Sequence, residues 1–228
     1  HGGGGPGVGV LAVDDKFKEY LPNDNKRYKK SIGNISCNIF GNSSANLISL
    51  KYIEKNIHHF DKISEKAVYN ANYLKSKLDK HFKINYYDKK EKVAHELIID
   101  LSEFYEYGIT DNDFCKRMID YGIHPPTMSW PVSKCIMIEP TETESIDNLN
   151  YLINTLISIK KEIINLNLNE DNIIKNSPHS IEDLFNWEYS YSKEDAFFPL
   201  GKETKKFWHT SNRIDDLYGD KLFYKTKK

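Results

Sequence analysis

The sequence predicts a mixed α/β protein. Its centre, residues 61–166, reads as a small α+β domain, preceded by a loop-rich segment over 1–60 and followed by an aromatic-rich extension over 167–228. Three observations lead to this reading. Helical spacing of apolar residues gives way to short alternating runs after Lys80, a long amphipathic stretch returns at Ser145, and the order between them is strand, strand, helix, strand, helix.

Taken in order, His1 to Gly9 is a glycine-rich loop, and the chain to about Lys30 is polar, with a turn at Leu21-Pro22-Asn23-Asp24. Leu47, Ile48, Leu50 and Ile53 predict a helix over 43–57. Asp61 is placed to cap the next helix, whose Ile63, Ala67, Ala71, Leu74 and Leu78 fall three or four apart and form one buried stripe. Phe82–Tyr87 and Ala94–Leu101 read as strands between charged turns. Asp111 opens a short helix that buries Phe114, Cys115, Met118 and Ile119 and ends at Gly122. Three prolines make Ile123–Pro131 irregular or extended. A strand over Cys135–Glu139 leads into a helix from about Ser145 to Leu166, with acidic residues near its start that suit the helix dipole. The tail from Asn167 has no period. It does hold Trp187, Phe197, Phe198, Phe207 and Trp208, which predicts that it wraps a body.

With 32 basic and 33 acidic residues the formal charge is -1, so no overall field draws the chain to nucleic acid or to an anionic membrane. Aromatic residues make up 13%, enough for a packed interior despite many Lys, Asn and Ile. Cys37, Cys115 and Cys135 are far apart and form no C-x-x-C pair, which points to reduced thiols rather than a disulfide or zinc framework. No apolar run reaches the roughly 20 residues of a membrane-spanning helix. The chain starts at His1 inside a glycine run, so further residues are expected upstream.

The run His1-Gly-Gly-Gly-Gly-Pro-Gly7 is the sharpest motif. Such a run lets backbone amides approach a phosphate or carboxylate with no Cβ in the way. Gly2, Gly4 and Gly7 fit G-x-G-x-x-G formally, but no strand precedes them and Pro6 removes a donor, which argues against a dinucleotide loop. His-Gly-Gly-Gly also occurs as an oxyanion-hole run in esterases, with Ser43 as the nucleophile. Against this, Ala45 stands where the nucleophile turn wants glycine, and the alternating strands of that fold are missing. His95-Glu96 opens like a zinc-protease helix, yet Ile99 occupies the place of the second histidine. In His124-Pro-Pro-Thr-Met-Ser-Trp-Pro131, polar groups including Thr127 and Ser129 stand on a restricted backbone. A site wall and a structural turn both remain open for this loop.

The order of segments along nearly the whole chain resembles the glycine decarboxylase family, the P-protein of the glycine cleavage system. The stretches that carry the resemblance are His1–Gly7, Asn70-Ala-Asn-Tyr73, Val93-Ala-His-Glu96, Asp120-Tyr-Gly122, His124–Pro131, Glu139-Pro-Thr-Glu-Thr-Glu-Ser145, Lys175-Asn-Ser-Pro-His179, Phe198-Pro-Leu200, Phe207-Trp208 and Arg213–Asp220. Two stretches depart from it. Phe40-Gly-Asn-Ser-Ser44 stands where the family has Trp-Gly-Ser-Ala-Ser, and the terminus lacks the family's cysteine-containing run.

The resemblance implies a pyridoxal-phosphate-dependent transferase of fold type I, the aspartate-aminotransferase-like fold, with residues 1–60 ending the large cofactor domain. It implies glycine as substrate, pyridoxal 5'-phosphate as cofactor, and the lipoyl arm of the H-protein as acceptor of the aminomethyl group. By matching position, His1, Gly2, Gly3, Gly4, Gly5 and Gly7 lie near the cofactor, and His95, Thr127 and Ser129 at the active-site mouth. The family's Schiff-base lysine lies a few residues before the glycine run. No lysine of this sequence sits in that motif, so the chain alone is expected to be inactive. A homodimer, or association with an amino-terminal portion, is the expected assembly. The expected location is mitochondrial in a eukaryote and cytoplasmic otherwise. The alternative is a non-catalytic split or relic subunit that binds a partner chain or the lipoyl carrier.

Overall fold

The computed structural model describes residues 9–22, 29–34, 43–166 and 171–214. The chain divides into two compact units, residues 1–64 and 65–228.

In the first unit, a 3-10 turn over Asp15–Tyr20 is capped by the Asp14 side chain, which accepts from the Lys16 amide. Helix α1 (Ser43–Asn56) follows the predicted span. Ala45 is buried, whereas Leu47, Ile48, Leu50 and Ile53 remain 45–69% exposed. Helix α2 (Phe60–Leu78) starts one residue before the predicted cap. Asp61 therefore sits inside the first turn rather than at the cap, where its negative charge complements the positive end of the helix dipole.

In the second unit the α2 stripe is fully buried at Ala71, Leu74 and Leu78. Ile63 and Ala67 are only half-buried, so the buried part of the stripe is shorter than its period suggests. Four strands form one antiparallel sheet in the order β1-β2-β4-β3: β1 (Lys83–Asn85), β2 (Leu97–Asp100), β3 (Thr127–Met128) and β4 (Cys135–Ile138). Leu97 opposes Ile138 and Ile99 opposes Ile136, and all four join the core with Ile84. The strands are shorter than their apolar runs. Val93 is held by Asn72 of α2 through two hydrogen bonds of 2.8 and 3.1 Å, so the chain from Val93 to Glu96 is tied to a helix before it can join the ladder. His95 consequently lies in a bend before β2 and not on a strand as expected.

Helix α3 (Asp111–Asp120) packs Phe114, Cys115 and Met118 into the same core, where Phe104 stacks on Phe114 at 5.7 Å between ring centroids. Helix α4 (Ile146–Ile164) is capped by Ser145, which accepts from the Asn148 amide, and buries Leu149, Ile153, Leu156, Ile159 and Ile163. Ile119 is half-buried and Ile146 and Ile164 are exposed, so the two helices bury narrower faces than expected. The aromatic tail packs within the second unit as helices α5 (Ile173–Asn176), α6 (Ile181–Phe185) and α7 (Lys193–Phe197). Phe197 is fully buried against His179, Trp187 and Trp208.

Candidate functional site

The amino end of α3 builds a polar corner. Thr110 caps the helix through a reciprocal box with Asp113, which places Asp111 as the first helical residue. Asp111 is 6% exposed, and both of its oxygens are used. Oδ1 accepts from the Tyr105 hydroxyl at 2.8 Å, and Oδ2 accepts from the Ser129 hydroxyl. Burial, followed by the bond to Asp111, holds the Tyr105 hydroxyl above the ordinary phenol range, so it stays a donor. Lys134 lies over the Tyr105 ring at 4.4 Å.

Ser129 is held from several sides. Its amide donates to the Cys135 carbonyl at 2.7 Å, its φ of 52° is left-handed, and Lys134 at the other end of the loop has a φ of 61°. Non-glycine residues rarely adopt that region and are kept there by surrounding contacts. Those contacts include the Cys135 thiol, which donates to the carbonyls of Trp130 and Val132. The result is a rigid loop that leaves Thr127, Met128, Ser129 and Trp130 exposed. The loop is a fixed turn that exposes Met128 and Trp130 while the Ser129 hydroxyl is tied to the buried Asp111.

A second polar cluster fastens the tail to α3. Arg117 is fully buried and grips Glu162 with two bonds of 2.9 and 2.7 Å. It also donates to Asp120 at 3.1 Å and to the carbonyls of Ala196 and Asp195. Asp120 in turn accepts from the His179 amide and faces His179 Nδ1, both at 2.8 Å. Burial opposes the charge on Arg117 and on Asp120. It is outweighed at Arg117 by Glu162 and Asp120, which raise its pKa, and at Asp120 by His179 and Arg117, which lower it. Nearby, Asp113 accepts from Lys175 and Arg213, both at 2.5 Å. Burial is again outweighed there, by Lys175, Thr110 and Arg213, so the Asp113 carboxyl titrates below its usual range.

The expected site residues are not gathered in one place. Thr127 stands on the edge strand opposite Met137, and Ser129 lies beyond it at the Cys135 end of β4. His95 lies at the other end, with Nε2 3.5 Å from a Glu139 oxygen. The four residue steps from Cys135 to Glu139 amount to roughly 13 Å of strand. His1, Gly2, Gly3, Gly4, Gly5 and Gly7, and the Phe40–Asn42 departure, lie outside the described residues. Among the described residues no group of three His, Cys, Asp or Glu side chains is placed to hold a metal. Cys115 and Cys135 are buried and unpaired.

Sequence reasoning missed Tyr105, Asp111, Asp113, Arg117 and Asp120. The helical period gave no signal for three of them: Asp113, Arg117 and Asp120 lie on the face of α3 opposite Phe114, Cys115 and Met118, which the period assigns to solvent. Several of the stretches noted for their resemblance turn out to be the ties of the second unit. Asn70 donates to the Thr141 carbonyl at 2.8 Å, and Tyr73 to Asn150 at 2.6 Å. Asp120 meets His179, and Gly122 faces Lys205.

Known proteins match this sequence. Residues 63–179 match the family model described as glycine dehydrogenase, C-terminal domain. The glycine dehydrogenase (decarboxylating) of Christiangramia forsetii is 42% identical over 97% of this chain and 24% of its own length. That of Flavobacterium johnsoniae is 40% identical over 97% and 24%, and that of Pelagibacter ubique 40% over 99% and 25%. The chain thus spans about a quarter of the length of the curated relatives it matches. With slightly more than half of its residues in that model, the chain belongs to the glycine dehydrogenase C-terminal domain family.

Proposed function

We propose that this chain is the carboxy-terminal portion of a glycine dehydrogenase (decarboxylating) of fold type I, and that its residues wall the active site without supplying the reactive lysine. The observation that carries the reading is the 38–42% identity of the relatives over 97–99% of the chain, all of them named for this activity. In such an enzyme pyridoxal phosphate accepts electron density as the carboxylate of glycine leaves as CO2, and the aminomethyl group passes to the lipoyl arm of the H-protein. The His1–Gly7 run is assigned to the cofactor. It lies outside the described residues.

The described residues have a positioning role in this reading. The polar ties of α3 hold the 127–131 loop in one shape, and that loop, with Thr127 and Ser129, borders the mouth through which the lipoyl arm enters. His95 is assigned to the same mouth from the far end of β4, where the arm would pass on its way in. Residues 1–60 complete the large domain. The exposed Leu47, Ile48, Leu50 and Ile53 of α1 support burial against the amino-terminal portion or a second subunit. The bacterial relatives support a cytoplasmic location.

The test is co-expression with the amino-terminal portion of a relative. Release of CO2 from carboxyl-labelled glycine, dependent on lipoylated H-protein, is expected for the pair and not for this chain alone. A pair that assembles and stays inactive would favour the non-catalytic subunit. Treatment of this chain alone with pyridoxal phosphate and borohydride is expected to leave no specific lysine stoichiometrically labelled, and a single labelled site would overturn the assignment.

A further inference from the structure

We infer that Asp111 is a positioning residue that makes Ser129 a hydrogen-bond acceptor only, so that this corner selects a ligand carrying an amide N–H. The inference rests on the loop's place at the active-site mouth proposed above, and it names what the mouth recognises.

A serine hydroxyl has one proton and two lone pairs, whereas a carboxylate has no proton to give. The Ser129 hydroxyl donates to Asp111 Oδ2, and Tyr105 occupies Oδ1 at 2.8 Å. The single proton of Ser129 therefore points inward to a residue that is 6% exposed. Ser129 itself is exposed, and what it offers outward is lone pairs. The Asp111 carboxylate can only accept, so the hydroxyl keeps this orientation while their bond is made, and the left-handed φ and the 2.7 Å bond from the Ser129 amide to Cys135 hold the backbone that brings the two together. A ligand that only accepts meets lone pair against lone pair, and a ligand that donates is satisfied.

The neighbours in sequence, Met128 at 43% and Trp130 at 61% exposure, are apolar. A donor flanked by apolar contacts suits an acyl chain ending in an amide. The lipoyl arm has this form: a hydrocarbon chain joined to a lysine through one amide N–H.

The experiment uses the full-length enzyme that contains this chain, with lipoamide and methyl lipoate as competitors of the lipoylated carrier. The two share the ring and acyl chain and differ in the N–H. Wild type is expected to bind lipoamide more tightly by about threefold to tenfold, the range of one net hydrogen bond. In Ser129→Ala the ratio of the two inhibition constants should fall to near one. In Asp111→Asn the new amide can donate to Ser129 and free its hydroxyl proton to point outward, where the carbonyl of either compound can accept it, so the preference for lipoamide should shrink towards one. If Asp111→Asn does not fold, the Ser129 variants decide alone.

A wild-type ratio near one, or a ratio that Ser129→Ala leaves intact, overturns the acceptor role. Ser129→Trp separates this from failure of the mouth reading. A raised KM for the carrier in Ser129→Trp keeps the loop at the mouth whatever the ratio does. An unchanged KM, or no competition by either compound, removes the loop from the mouth and the inference with it.

Discussion

Replacing Gly122 by alanine is expected to dislodge the tail from the carboxy-terminal end of α3. A Cβ built on Gly122 would stand 1.6 Å from the carbonyl oxygen of Lys205 and 2.7 Å from its carbon, and both atoms are backbone, so no side chain can turn away. The φ of +73° adds a penalty of about 1–2 kcal/mol for any residue with a Cβ. Moving Lys205 also breaks the 2.7 Å bond from its amide to the Tyr151 hydroxyl, which itself donates to the Tyr121 carbonyl at 2.7 Å. One or two such bonds contribute about 1–2 kcal/mol net. The expected loss is therefore about 2–4 kcal/mol. Gly108 supplies the control, since its φ is +70° and nothing lies within 4 Å of its added Cβ. Gly108→Ala should cost only the backbone penalty. Urea unfolding followed by tryptophan fluorescence reads the difference directly, because Trp187 and Trp208 both lie in the tail. Limited proteolysis should cut near Lys205 in Gly122→Ala and not in Gly108→Ala. Equal midpoints and equal cleavage for the two variants would refute the close packing of Lys205 on Gly122.

Three further outcomes are expected. Arg117→Met leaves Asp120 and Glu162 without their buried cation and should cost about 3–5 kcal/mol, read as a fall in the urea midpoint. Asp100 is acid-sensitive. Burial raises its pKa, but the hydrogen bonds from Lys83 and Ser102 and the Lys83 charge outweigh burial and bring it from 3.8 to about 2. A depressed folded pKa stabilises above the unfolded value, so this contribution is present above about pH 4 and lost as pH falls towards 2. Exposure of the Lys83 ammonium, 73%, screens the pair and limits the effect to at most about 2 kcal/mol. Asp100→Asn should remove this part of the acid transition in a denaturation series. The Cys115 thiol, pushed up to about 12 by burial with Asp111 adding to it, should resist iodoacetamide in the native protein at about pH 8 and react on unfolding. Mass spectrometry of the labelled peptide checks it.

Sequence alone determined the four long helices, though not the short α5, α6 and α7 of the tail, and the presence and order of three of the four strands, because apolar period is a local property: α1, α3 and α4 lie where their spacing put them, and Gly122 ends α3 in the left-handed conformation expected of it. It also carried the family membership, through segments whose order no single motif would secure. The tertiary structure decided where the strands stop, since Asn72 captures Val93 from a helix 21 residues away before β2 can extend towards it. It decided, too, that the polar side of α3 is interior. Arg117 meets Glu162 from 45 residues off, and Asp113 meets Arg213 from 100, so no window along the chain contains both partners. Periodicity records which residues avoid water, but a buried charge avoids water only in the company of another charge. That company is set by how distant segments pack, and it is what turns Ser129 from one serine in a proline-rich loop into a hydroxyl with a fixed direction.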